Sequence, residues 1–304
     1  MWAVALAAGL WGTSALMRDP LAQVLPASTI VVYEHAVIVV LLLPWLIPAL
    51  RALAAAGPAV IAAVAVIGGG SSALATMLFT LAFTVGDPIT PQVLQKLQPV
   101  FAIVLAVVLL GERLAPRFGL YALPALAGAW ILAFPDPLGV TVDDARGAAL
   151  AVGAALLWAA GTVLGRLAGV RLAFMHVTVL RFTFGLPVAL VIALASGASL
   201  AVGPAQVPRL VLLALIPGLL ALTLYYWGLR RTAASRATLA ELAFPLVSAV
   251  VGAGLLGGSL QWSQWAGGAV VLIAVTSMAL NRSGPRPSGV HVPEDTPAAR
   301  PAVH

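Results

Sequence analysis

The chain has 304 residues, of which 62% are hydrophobic and only 9% charged, and its mean hydropathy is +1.06. That composition lies far outside soluble globular domains and places the protein in a membrane. The sequence has no cysteine, which excludes disulfides, thiolate metal sites and cysteine nucleophiles. Its net charge of +6 comes mostly from arginines scattered between apolar runs, a pattern that orients a chain in a bilayer and gives no support to nucleic-acid binding.

A crossing takes about 20 apolar residues. Runs of that kind fall at about 1–17, 29–50, 58–82, 88–110, 116–134, 147–168, 173–196, 207–228, 233–256 and 262–280. They predict an all-α integral membrane protein of ten transmembrane helices, with proline and glycine at many of the joints. The first run starts at Met1 without a basic n-region or cleavage site, so it reads as a retained span.

Taken in order, the helices carry few polar residues, and each stands out. In the first, Trp11 lies deep, beside Gly12, Thr13 and Ser14, and offers aromatic surface to a solute cavity. The second begins with Glu34 and His35; an acid beside an imidazole in a membrane is a candidate proton carrier, and two groups meeting water at the interface is the bland alternative. The fourth holds the largest anomaly. Gln92, Gln95, Lys96 and Pro99 follow i, i+3, i+4, i+7 spacing and line one stripe of a helix. A cationic side chain at a helix centre costs at least ~2.5 kcal/mol against hydrocarbon, so Lys96 should face protein or water. Trp158 in the sixth helix, like Trp11, offers aromatic surface to a solute cavity, and the series Gly161, Gly165, Gly169 follows it, the glycines reading as close helix packing.

Arg181 lies inside the seventh span, and Tyr225, Tyr226 and Trp227 end the eighth, where Tyr226 and Trp227 read as interfacial anchors, as do Trp262 and Trp265. The ninth carries Glu241 near mid-membrane, on one face with Thr238, Pro245 and Ser248. Lys96 and Glu241 fall at similar depths; an ion pair holding the central helices and direct contact with a solute are both open. Pro99 and Pro245 are expected to kink their helices and free a carbonyl.

The chain also repeats itself. With a constant offset that sets Phe79 on Tyr225, Pro99 falls on Pro245, Leu109-Leu110-Gly111 on Leu255-Leu256-Gly257, and Gln95 on Glu241. One residue more of offset sets Trp11 on Trp158 and Glu34 on Arg181. Glu34 and Arg181 therefore take symmetric positions, as a pair or as two sides of a solute. The halves are 1–137 and 146–280, each with five spans; the odd number inverts the second, an arrangement that builds solute sites near the bilayer midplane. Residues 281–304 are proline-rich and polar and should form a disordered tail.

With both ends cytoplasmic, eleven arginines fall on inside connections and three, Arg18, Arg146 and Arg209, outside, which favours that orientation. The expected location is the inner (plasma) membrane of the cell.

The Trp11-Gly12 pair, the two five-span repeats and the fourth-span motif Gln98-Pro99-Val100-Phe101, ending in Leu110-Gly111-Glu112-Arg113-Leu114, resemble the drug/metabolite transporter superfamily, specifically its EamA-type ten-helix members. The resemblance covers about residues 1–280. It implies an inverted-repeat fold with a central cavity and transport of small metabolites by alternating access, without a cofactor and without ATP hydrolysis. The second copy departs from the motif, with Gly257-Gly258 in place of Gly111-Glu112. Glu112 itself, next to Arg113 at a helix end, reads as local packing and charge pairing.

The leading reading is a secondary transporter, expected to export a small polar or amphipathic metabolite such as an amino acid, with proton coupling through Glu34, His35 or Glu241. Trp11, Gln92, Gln95, Lys96, Arg181 and Tyr225 complete the candidate site. A facilitative exchanger or uniporter is the alternative, and a homodimer is open. An intramembrane enzyme would need a nucleophile or metal motif, and neither G-x-S-x-G nor H-E-x-x-H occurs. A channel would need rings of charge or carbonyl filters that this sequence does not supply.

Overall fold

The computed structural model describes residues 1–85, 94–95, 97–114, 116–133, 136, 138–139, 145–255 and 261–280. Lys96, Gln92 and the tail from 281 lie outside the described residues. Among those described, ten helical rods follow one another close to the expected spans. The first rod is Trp2–Gly12 and, after a turn at Thr13 and Ser14, Ala15–Ala22. The second is Ala27–Ala55, and the third runs Pro58–Ala65, a wide π-helical stretch Val66–Leu74, then Ala75–Val85. The fourth is described from Gln98–Leu110, and the fifth is Gly119–Ala133. The sixth is Ala145–Arg171 and the seventh Phe174–Ala195. The eighth repeats the third: Val207–Leu213, a π-helical stretch Ala214–Leu220, then Ala221–Leu229. The ninth is Ala234–Ala240 and Ala243–Leu255, and the tenth Trp262–Leu280.

Contacts between the halves obey the repeat. The second rod packs on the seventh and the fifth on the tenth, which are the self-matching pairs of a two-fold arrangement. The first rod packs on the eighth and ninth, and the sixth, its counterpart, packs on the third and fourth. The duplicated sequence thus becomes two interlocked halves, neither of which closes a core by itself.

Small residues make this interlocking possible. Helices in a bilayer gain no hydrophobic free energy by touching one another, so association rests on close van der Waals packing. Nine of the eleven buried residues of the sixth rod are glycine or alanine, Gly147, Ala151, Ala154, Ala155, Ala159, Gly161, Gly165, Ala168 and Gly169, and the other two are Thr162 and Val163. Large apolar side chains such as Leu41, Leu43, Trp45 and Ile47 instead point outward from the second rod, as a lipid-facing surface requires. Where the fifth and tenth rods cross, two glycines meet backbone to backbone. A Cβ on Gly267 would stand 2.7 Å from the carbonyl oxygen of Gly128, and one on Gly128 would stand 2.8 Å from that of Gly267.

The π-helical stretches have local causes. Val66–Leu74 contains Gly68, Gly69 and Gly70, and a Cβ on Gly68 would lie 2.8 Å from the Arg181 carbonyl, so the seventh rod approaches this backbone directly. Ala214–Leu220 contains Pro217, which has no N–H to give to the helical ladder.

Glu112 turns out to have a different partner from Arg113. Its carboxylate accepts the backbone N–H groups of Ala234 (2.6 Å) and Ser235 (3.1 Å) and the Ser235 hydroxyl (2.7 Å), and it is only 8% exposed. The helix Ala234–Ala240 has no side-chain cap of its own. An acid from the first half therefore caps a helix of the second, which satisfies its orphan donors and suits its dipole.

Two predictions follow from this packing. Gly267→Ala should lower the melting temperature of the detergent-solubilised protein by several degrees, whereas Gly119→Ala, with open space around it, should leave it unchanged; equal behaviour would mean that the glycine crossing is not tight. Glu112→Ala strands three donors and should cost about 2 kcal/mol of stability, with Glu112→Gln, which keeps one acceptor oxygen, costing less. A melting temperature insensitive to both would remove the capping role.

Candidate functional site

Two prolines create the site. A proline ring clashes with the carbonyl four residues earlier and has no N–H to give, although Pro44, Pro48, Pro124 and Pro187 are carried inside continuous helices. Pro245 thus weakens the helical ladder at Glu241, and Pro99 at Gln95. The ninth rod accordingly breaks at Glu241 and Leu242 and restarts at Ala243, and the fourth shows a turn at Leu97 and restarts at Gln98. The expected mid-helix kinks are thus helix restarts, with each proline in the first turn, where its missing N–H is harmless.

The broken ends meet. Glu241 Oε2 accepts Gln98 Nε2 at 3.2 Å, which joins the two restarts across the halves. Glu241 Oε1 accepts the Tyr225 hydroxyl at 2.9 Å and the Thr162 hydroxyl at 3.1 Å. The carboxyl therefore collects donors from the fourth, sixth and eighth rods. Around it opens a cavity of about 920 Å³ whose lining comes from both halves.

The walls are aromatic and follow the repeat. Trp11 of the first rod packs on Tyr225 of the eighth, ring centroids 5.1 Å apart, and Trp158 of the sixth packs on Phe79 of the third, also at 5.1 Å. Trp11 matches Trp158 and Phe79 matches Tyr225 in the sequence repeat, so the two pairs are one motif built twice. Trp11 is held further by its indole N–H, which donates to the Pro217 carbonyl at 3.0 Å. Trp130 and Phe244 add to the lining.

The polar groups do not follow the repeat. Arg181 lines the cavity, donates from Nη1 to the Tyr226 hydroxyl at 3.0 Å, and leaves its buried Nε without a partner. Tyr226 is 1% exposed, so it is a buried support for Arg181 and not the interfacial anchor expected of it. Trp227, Trp262 and Trp265 are exposed, and Arg231 stacks on Trp227 at 4.6 Å. Glu34, the symmetric counterpart of Arg181, pairs with Arg18 at 2.9 Å and not with Arg181. Arg18 itself lies in the helix Ala15–Ala22 and lines the cavity, where a loop position had been expected for it.

His35 is 3% exposed and tied into the contact of the second rod with the third and seventh. Its Nδ1 lies 2.8 Å from the Val31 carbonyl, which can only accept, so Nδ1 carries a proton; in the neutral ring Nε2 then accepts from the Ser72 hydroxyl at 2.9 Å. A Cβ on Gly185 would stand 2.7 Å from that Nε2, and Phe182 packs edge-on against the ring. At 3% exposure His35 does not meet water at the interface, the bland setting expected for it; both its ring nitrogens are engaged within the packing.

Of the residues singled out in the sequence, Trp11, Gln95, Arg181, Tyr225 and Glu241 line one cavity with Pro99 and Pro245, whereas Glu34 and His35 stand behind the lining. Arg18, Thr162, Gln98 and Phe79 were missing from that set. For Phe79 a signal existed, because the repeat aligns it with Tyr225; nothing in the sequence marks Thr162 as the partner of an acid 79 residues away.

The EamA-like transporter family matches residues 1–134 and 145–280 of the chain. A riboflavin transporter, ImpX, of Fusobacterium nucleatum subsp. nucleatum is 30% identical over 226 residues, covering 71% of this chain and 74% of that protein. A solved crystal structure superposes with a TM-score of 0.71 at 22% identity, covering 91% of this chain and 95% of the solved one, which shows a shared fold.

Tyr225→Phe and Thr162→Val each remove one donor from Glu241 Oε1. Each should destabilise the solubilised protein by about 1–2 kcal/mol, and the double variant by less than the two together, because both serve one oxygen. Strict additivity in thermal unfolding would mean that the three groups do not act as a unit.

Proposed function

We propose, since the chain belongs to the EamA-like transporter family, that it is a secondary carrier moving a small metabolite through the central cavity by alternating access. It is a multi-pass membrane transporter and not an enzyme. The observation that carries the reading is the position of Glu241: an ionisable group at a helix break, facing a cavity built from both halves, is where a carrier couples solute to its own rearrangement.

The cavity volume of about 920 Å³ is in the range of small-molecule sites, roughly 300–1,000 Å³. Paired aromatic walls favour a solute with a flat ring over the simple amino acids suggested by charge alone. Riboflavin, the solute named for the relative of 30% identity, has such a ring and is the first solute to test. Glu34 and His35, tied to Arg18 and Ser72, are assigned to holding helices, and proton coupling falls to Glu241. Both termini are cytoplasmic in this reading, as the arginine distribution favours; export is the direction proposed, independently of that orientation. The protein acts in the plasma membrane.

The test is flux into proteoliposomes holding the purified protein, with riboflavin and pooled metabolites, with and without an imposed pH gradient. Accumulation should follow the gradient, and Glu241→Gln should abolish the effect of the gradient while the protein remains folded. Flux indifferent to the gradient in the wild type would replace the coupled carrier with a facilitative exchanger.

A further inference from the structure

The cavity is symmetric in its aromatic walls and asymmetric in its charges, and the asymmetry carries chemical information. Of the two arginines that line it, Arg18 is neutralised by Glu34 at 2.9 Å. Arg181 has no carboxylate within salt-bridge distance among the described residues, its single hydrogen-bond partner is the Tyr226 hydroxyl, and its Nε is buried and unsatisfied. A buried guanidinium nitrogen without an acceptor costs free energy unless a ligand completes it, and Arg181 is half-buried at the cavity wall where a ligand can reach it. Glu241 is the opposite case, with both carboxyl oxygens already receiving donors from the protein.

We infer that Arg181 is a specificity-determining residue that receives the acceptor-bearing edge of a planar aromatic solute, a carbonyl pair or a carboxylate, while the ring lies between the Trp11–Tyr225 and Phe79–Trp158 pairs. The guanidinium fork suits a planar edge with two acceptors, and aromatic faces suit a flat ring whatever its substituents. Walls and fork therefore read different parts of one molecule. Tyr226 holds the fork in place without touching solute. This assignment rests on the cavity being the transport site.

The experiment compares two flat tricyclic probes on the purified protein in detergent by equilibrium quenching of tryptophan fluorescence. Lumichrome carries a two-carbonyl edge, and phenazine has the same flat outline without exocyclic acceptors. The wild type should bind lumichrome at least ~10-fold more tightly, the worth of one charge-assisted contact. Arg181→Gln should weaken lumichrome by that factor and leave phenazine unchanged, so that the preference disappears; Arg181→Lys, which keeps the charge and loses the fork, should fall between. Equal affinities in the wild type, or a preference that survives Arg181→Gln, would overturn the assignment. Should Arg181→Gln not fold, the wild-type ratio and the Arg181→Lys ratio still decide it. Riboflavin flux in liposomes separates the two readings. Flux present with no lumichrome preference overturns the role of Arg181 alone, whereas absence of flux together with absence of binding by either probe overturns the transport site itself.

Discussion

The clash between a proline ring and the carbonyl four residues before it is the constraint on which the rest of this structure depends. Pro245 disfavours an unbroken ninth helix at Glu241, and Pro99 does the same to the fourth helix near Gln95, and at both places the helix restarts. In a bilayer a broken helix is tolerable only where its freed polar groups face protein or a wet cavity. The break therefore dictates that polar side chains gather there, and Gln98, Thr162 and Tyr225 converge on Glu241. Without the breaks these would be ten apolar rods with no reason to leave space between them.

Around that centre the duplication acts at two levels. At the level of packing it gives matched contacts, first rod on eighth and sixth on third, made possible by the small residues that line the sixth rod. At the level of the site it gives two equivalent aromatic pairs, both with centroids 5.1 Å apart. Charge then differentiates what duplication made alike. Glu241 stands where the first half has Gln95, and Arg181 where it has Glu34, so a symmetric container holds an asymmetric set of contacts.

Hydrophobic run length made the ten rods legible in the sequence, and the offset between Phe79 and Tyr225 made the two halves legible, because both are properties of the chain taken along its length. The aromatic walls were half legible. Trp11, Trp158 and Tyr225 were singled out, yet which ring meets which depends on first-to-eighth and third-to-sixth packing that spacing does not encode. Glu34 and His35 illustrate the limit most clearly. Their partners in space, Arg18 and Ser72, lie 16 and 37 residues away, and no spacing along the chain announces those contacts. Glu112 was read as paired with its neighbour Arg113, because no sequence signal announces a cap supplied by another half of the molecule.

In the sequence the capping acid occurs in one copy. Gly258 stands in the second copy where Glu112 stands in the first, so the repeat supplies no acid to fasten the opposite end in the same manner. The fastening between the halves at that point is therefore one-sided: the start of Ala234–Ala240 depends on a single carboxylate reaching over from the other half, and the sequence holds no acid at the matching position of the second copy to share that load.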